Sequence, residues 1–427
     1  RGGDLAGVLA SLDQGISADR VDLKTGCGPL VLAANRGHTD VCRALLERKA
    51  SPQGAGPVGS VVIAARRGLE EVLELLLAAA GDPNQRVPGS TGLTALMLAT
   101  KSRNATTVVD LLLREKASAV SSTPAGKTPL QVACEVGAPQ EVLTLLLKNG
   151  ARPAETDSQG DTALHRWVRQ RTTGQVLAAF RRLLVLRCDV NVRNQITGQS
   201  ALHVAAAAPR KEAVVKMLLE NAADINIISV PRHRGGGGGK RRVRIHDCFT
   251  ALHLALQTGN EPAASALLAS PALDISTSGF ALNQELPVVV LAIQGSCSPE
   301  LLEAVLKRGA CPNAATEEGC SPLHLVVAGA KATDGDRLQL ARVLVKYGAC
   351  VTQRQSDGQS VLELAAKFSQ AVYEFLASAD VHTHARAGDV AAVQAALDLG
   401  VPVDSEHYES ELTPLAEDLV AGHSECC

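Results

Sequence analysis

The chain has 427 residues, about three times the size at which one hydrophobic core is comfortable, which argues against a single ordinary globule. Hydrophobic residues at 46% and charged residues at 20% exclude a wholly disordered chain, and a formal charge of −2 excludes a global attraction to nucleic acid or acidic membranes. Aromatic residues are only 2%, so the core has to be built from Leu, Val and Ala.

The predicted elements repeat along the chain. A partial unit over residues 1–26 contains the helix that begins at Gly3-Asp4-Leu5-Ala6. Helix openings follow near 28, 59, 94, 128, 162, 200, 250, 287, 321, 360, 379 and 413. Thr162-Ala163-Leu164-His165 recurs as Ser200-Ala201-Leu202-His203, Thr250-Ala251-Leu252-His253 and Ser321-Pro322-Leu323-His324. Weaker copies start at Thr94, Thr128, Ser360 and Thr413. The openings at 94, 128 and 162 are 34 residues apart, as are 287 and 321.

Each unit has the same physical grammar. A hydroxyl residue suited to capping, often followed by Pro or Ala, starts a first helix. Small pairs such as Ala33-Ala34, Ala64-Ala65 and Ala205-Ala206 follow, and a glycine (Gly37, Gly68, Gly137, Gly259, Gly295) is expected to close the helix. The second helix carries one apolar stripe, as in Val41, Cys42, Leu45, Leu46 and in Val142, Leu143, Leu146, Leu147. Arg103 and Arg171 stand where glycine is expected, which predicts looser or strained turns, and Trp167 replaces a small packing residue.

This order of opening, small pair, glycine stop, apolar stripe and closing Gly-Ala resembles the ankyrin-repeat family. The resemblance covers nearly the whole chain and implies an all-α solenoid of helix-turn-helix repeats with short hairpin fingers, a single array over 1–427. It also implies a concave side, made of first helices and fingers, that binds partner proteins. The residues before each glycine turn face that side in the family, which selects Arg36, Arg66, Arg67, Arg169, Gln170 and Gln257 here. Arg36, Arg66 and Arg67 would form a basic patch for carboxylate or phosphate groups. Finger tips such as Ser158-Gln159, Arg193-Asn194, Glu317-Glu318 and Arg354-Gln355 would add polar contacts.

No residues here point to catalysis, a cofactor or a metal. Gly235 to Gly239 precede Lys240 but lack the phosphate-loop spacing, since Arg234 and Arg241 fill the positions that need Gly and Ser/Thr. His165, His203, His253 and His324 recur once per unit, so stacking separates them by about 10 Å, too far to share an ion at about 2 Å. The resemblance instead gives them hydrogen bonds to loop backbone within and between repeats. The eleven cysteines are scattered without a CxxC pair, which reads as reduced intracellular thiols. The longest run of large apolar residues, Val288 to Ile293, is far short of the roughly 20 that span a membrane. A cytoplasmic or nuclear location is expected.

An insertion over 230–247 fills the 50-residue gap between the openings at 200 and 250. It carries Arg232, Arg234, Lys240, Arg241, Arg242 and Arg244 with no acid between them, leaving 36 basic against 44 acidic residues elsewhere. This composition predicts an exposed, flexible loop, and nucleic acid or anionic lipid could bind only through it. Residues 3–15 match 388–400 at an offset of 385, and the chain stops where a second helix should begin, so a fragment of a longer protein is expected. The favoured function is a non-catalytic protein-interaction scaffold. The alternatives are the recognition region of a larger enzyme of the ubiquitin-ligase or kinase type, and a binder of anionic partners through the basic loop.

Overall fold

The computed structural model of the chain describes residues 3–89, 91–169, 188–230, 248–276, 279–281, 284–329, 333–387 and 394. Helix α1 (Leu5–Asp13) precedes the pairs α2 (Pro29–Arg36) and α3 (Thr39–Glu47), α4 (Ser60–Arg67) and α5 (Glu70–Ala78), and α6 (Ala95–Ala99) and α7 (Ala105–Arg114). Then come α8 (Pro129–Val136) and α9 (Gln140–Lys148), α10 (Ala163–Val168), and the pair α11 (Ala201–Ala207) and α12 (Glu212–Glu220). The later pairs are α13 (Ala251–Gln257) and α14 (Glu261–Leu268), α15 (Val288–Gln294) and α16 (Pro299–Lys307), α17 (Pro322–Ala328) and α18 (Asp334–Lys346), and α19 (Val361–Phe368) and α20 (Gln370–Ala387). The architecture is all-α. Among the described residues strands are confined to one two-stranded ribbon, β1 (Gly279–Ala281) antiparallel to β2 (Gln284–Leu286), and isolated bridges such as Arg86 to Thr94 and Arg354 to Ser360 close other fingers.

By contact the chain forms two compact units. One is built from the residues up to Ala205 with Met217–Ala223, the other from Ala206–Lys216, Asp224–Val230 and the described residues beyond. In the first unit α2, α4, α6, α8 and α10 pack in succession, and α1, α3, α5, α7 and α9 do the same alongside. In the second unit α13, α15, α17 and α19 form one row and α14, α16, α18 and α20 the other. The core is aliphatic: Leu73, Leu76, Val108, Leu112, Leu143 and Leu146 on second helices are 0–1% exposed. Full burial of each contributes roughly 1.5–3 kcal/mol. The alanine pairs Ala33-Ala34 and Ala64-Ala65 are buried where first helices meet, and larger side chains there would hold the rows apart.

Helix ends explain the period. Gly37, Gly68 and Gly137 adopt left-handed backbone (φ 77°, 73° and 68°), and the next amide, such as His38 N–H to Ala33 O at 3.1 Å, closes each turn. Gly295 departs from that expectation: its φ is −74° and Ser296 takes the left-handed position at 61°. Glycine is required there for space, since a Cβ would stand 1.9 Å from the Leu256 carbonyl oxygen. Arg103 is not left-handed; α6 ends at Ala99, after five residues, and the chain crosses to α7 through a longer turn. Arg171 lies outside the described residues.

Trp167 is 1% exposed in α10, so the indole is packed inside the array in place of a small residue. The opening expected near 379 is corrected: α20 runs unbroken from Gln370 to Ala387 because no Gly or Pro interrupts Ala377-Ser378-Ala379-Asp380. The opening near 413 and the segment 388–400, apart from 394, lie outside the described residues.

Candidate protein-interaction surface

The residues predicted to face partners stand at the C-terminal ends of first helices. Arg36 ends α2 and Arg66 and Arg67 end α4; all three are exposed, and α2 packs on α4. Lys101, exposed just beyond α6, follows Thr94 by seven residues as Arg66 follows Gly59, so it continues the row. Sequence reasoning missed it because attention fell on Arg103 in the vacant glycine position, although the count from the cap would have found it.

The row then changes character. In the next layer Glu135 is held by Lys127 at 2.7 Å. Beyond it Arg169 is half-exposed, with Nε 3.4 Å from the buried carboxylate of Asp161. Gln257 lies at the exposed end of α13, in the other unit. Gln170 and the loop cations Arg232, Arg234, Lys240, Arg241, Arg242 and Arg244 lie outside the described residues.

Several finger residues expected to meet partners are committed inside the array. Asn194 is 3% exposed, and its amide donates to the Gln159 carbonyl at 2.9 Å and to the Asp161 carboxylate at 2.6 Å. Arg166 donates from Nε to Asp157 Oδ2 at 2.8 Å and from Nη2 to Gln159 Oε1 at 2.9 Å. Ser356 N–H and Oγ both donate to the Glu318 carbonyl. These finger-to-finger bonds fix the spacing of the surface, and they use the polar groups that a local reading takes for solvent-facing ones.

The recurring histidines are structural ties. In each, Nδ1 faces the hydroxyl of its own cap: Thr162 at 2.8 Å, Ser200 at 2.8 Å, Thr250 at 2.6 Å and Ser321 at 2.7 Å. His165 Nε2 reaches the Gln199 carbonyl of the next finger at 2.9 Å. Gln131 performs the same task, accepting from Thr128 N–H and donating to the Glu155 and Asp161 carbonyls. Burial lowers the pKa of His165 and His324 below the ordinary 6.5, opposed by hydrogen bonding of the rings to the backbone of Gln199 and Gln359. Among the described residues no group of three or more His, Cys, Asp or Glu is placed to hold a metal ion. No described helix is long and apolar enough to cross a membrane.

Stacked helix pairs tied together by finger bonds, with side chains left exposed along one row of helix ends, define a repeat protein of the interaction-scaffold class. The family description "Ankyrin repeats (3 copies)" matches residues 61–157, 137–229 and 175–279, and "Ankyrin repeat" matches 25–54. The chain belongs to the ankyrin-repeat family. It is similar to the B-cell lymphoma 3 protein homolog of Mus musculus, with 34% identity over 108 residues, 25% of this chain and 23% of that protein. It is also similar to the NF-kappa-B inhibitor delta of Mus musculus, with 28% identity over 214 residues, 48% of this chain and 63% of that protein. The chain thus spans less than two thirds of the length of either relative.

Proposed function

We propose that the chain is a non-catalytic docking scaffold whose exposed first-helix ends and fingers bind partner proteins. The observation that carries this reading is the division of labour among polar residues. His165, Gln131, Asn194 and Arg166 are consumed in tying repeats together, whereas Arg36, Arg66 and Arg67 are exposed and form no ion pair among the described residues. Exposed, preorganised cations on stacked helices are recognition chemistry, and no catalytic step is part of this reading.

The name of one relative, NF-kappa-B inhibitor delta, supplies a partner, and we extend it to this chain: NF-kappa-B. Titrating the purified chain with NF-kappa-B in a calorimeter is the direct test. Saturable one-to-one binding is expected, and heat no larger than dilution removes this partner. The six loop cations are assigned a separate role in binding acidic proteins, nucleic acid or anionic lipid, on composition. Unchanged binding of all three after deletion of residues 232–244 would remove that role.

A further inference from the structure

We infer that Arg36, Arg66, Arg67 and Lys101 form a docking stripe for an extended, acidic segment of a partner protein. This rests on the scaffold reading and goes beyond it by naming the chemistry the surface takes.

The stripe has defined ends. Its four cations stand at or just beyond the C-terminal ends of three successive first helices, α2, α4 and α6, which pack on one another in the same unit. All four are exposed, and none forms an ion pair among the described residues. The next layer closes the stripe, because Glu135 and Lys127 neutralise each other there. The finger of residues 50–59 between the first two layers contains no charged residue, and the finger between the next two holds Asp82, which accepts from Asn84 N–H, and Arg86, whose guanidinium donates to the Gly92 and Ser122 carbonyls.

Spacing gives the length of the occupant. Packed helices lie about 8–10 Å apart, so three layers span about 20 Å, and an extended strand rises about 3.3 Å per residue. A strand turns every other side chain to the opposite face, so the occupant is a segment of about seven residues in polyproline II conformation, which rises about 3.1 Å per residue with three residues per turn and keeps carboxylates three positions apart on one face, one per layer. Nucleic acid fits less well. No aromatic side chain stands in the stripe for bases to stack on. The neighbouring second helices α3 and α5 expose Asp40, Glu70, Glu71 and Glu74, which repel a polyanion that runs past the cations.

The test uses the full chain with its six loop cations replaced by serine, so that the loop cannot supply binding. The probe is a fluorescent Gly/Ser peptide carrying Glu at every third position, titrated by anisotropy at low salt. Saturable binding is expected, weakened at least tenfold by the pair R66E and R67E, retained by R66K with R67K, and changed less than twofold by R43E on the second helix α3. Circular dichroism melts confirm that the variants fold. Absence of binding, binding indifferent to R66E with R67E, or tighter binding of a single-stranded oligonucleotide of equal charge would each overturn the inference. Because the peptide is not the partner of the proposed function, a failed titration here leaves calorimetry with that partner to stand or fall separately.

Discussion

The Nε2 nitrogen of His165 stands 2.9 Å from the carbonyl oxygen of Gln199, a residue 34 positions further along the chain. With Nδ1 facing the Thr162 hydroxyl at 2.8 Å, this geometry assigns the neutral tautomer that donates from Nε2 and accepts at Nδ1. One imidazole thus caps its own helix and ties its repeat to the next.

That tie is sensitive to acid. Burial lowers the His165 pKa below the ordinary 6.5, so between those two values the unfolded chain binds the extra proton and the folded chain does not. The contribution of His165 is complete above pH 6.5 and is lost as pH falls toward the folded pKa. The melting temperature should drop from pH 8 to pH 5.5, and less so in H165Q, because glutamine at position 131 already makes the equivalent bonds. Identical pH slopes for the two proteins would refute the assignment.

Arg166 neutralises carboxylates that water does not reach. Asp157 and Asp161 side chains are 1% and 2% exposed, and Arg166 itself 12%. R166M should cost about 3–5 kcal/mol, the range for stranding a buried charge. Truncating Arg114, which pairs with Asp110 at the surface, should change stability by less than about 1 kcal/mol. Urea unfolding of both variants measures the contrast.

Asn260 fastens one helix pair to the end of another. Its buried amide donates to the Ala206 and Ala208 carbonyls at 2.8 and 2.9 Å, across 54 and 52 residues of sequence that include the basic insertion. N260A leaves both acceptors unpaired by it and should cost roughly 1–3 kcal/mol. A melt unchanged from the parent chain would show that the two carbonyls find other donors.

Gly295→Ala should destabilise by about 1–3 kcal/mol, through overpacking against the Leu256 carbonyl and not through backbone strain. Gly309→Ala tests the opposite cause. There φ is 92° with nothing within 4 Å of an added Cβ, so its cost of about 1–2 kcal/mol is conformational. Only the second should be matched by Gly348, at φ 86° in equally open space.

Cysteine reactivity should follow burial. All nine described cysteines are free thiols, and burial pushes Cys42 up to about 11 and Cys297 up to about 12, whereas Cys311 and Cys350 are exposed. Native alkylation at pH 8 should label Cys311 and Cys350 first, with Cys42 and Cys297 modified at the rate of unfolding. Mass spectrometry of the time course reads the order.

The helix pairs were legible in the residues because their causes are local. A hydroxyl cap at Thr128 or Ser321, a glycine at 37 or 68 and an apolar stripe such as Val41 to Leu46 each act within a few positions of one another. Where local signals ran out the reading failed. No breaker marks position 379, so a helix runs through it, and Gly295 proved to serve close approach in place of a left-handed turn.

Sequence by itself determined the fold family, the period and the helix ends, since capping, glycine conformation and apolar spacing are written in short stretches of chain. Only the tertiary structure decided which polar groups are free. Asn194 looked like a finger tip and is buried on Gln159 and Asp161, while Lys101 looked incidental and extends the exposed row begun by Arg36. The partners that settle such questions lie one repeat away, beyond the reach of any local pattern, and a hydrogen bond across that distance exists only once the repeats have stacked.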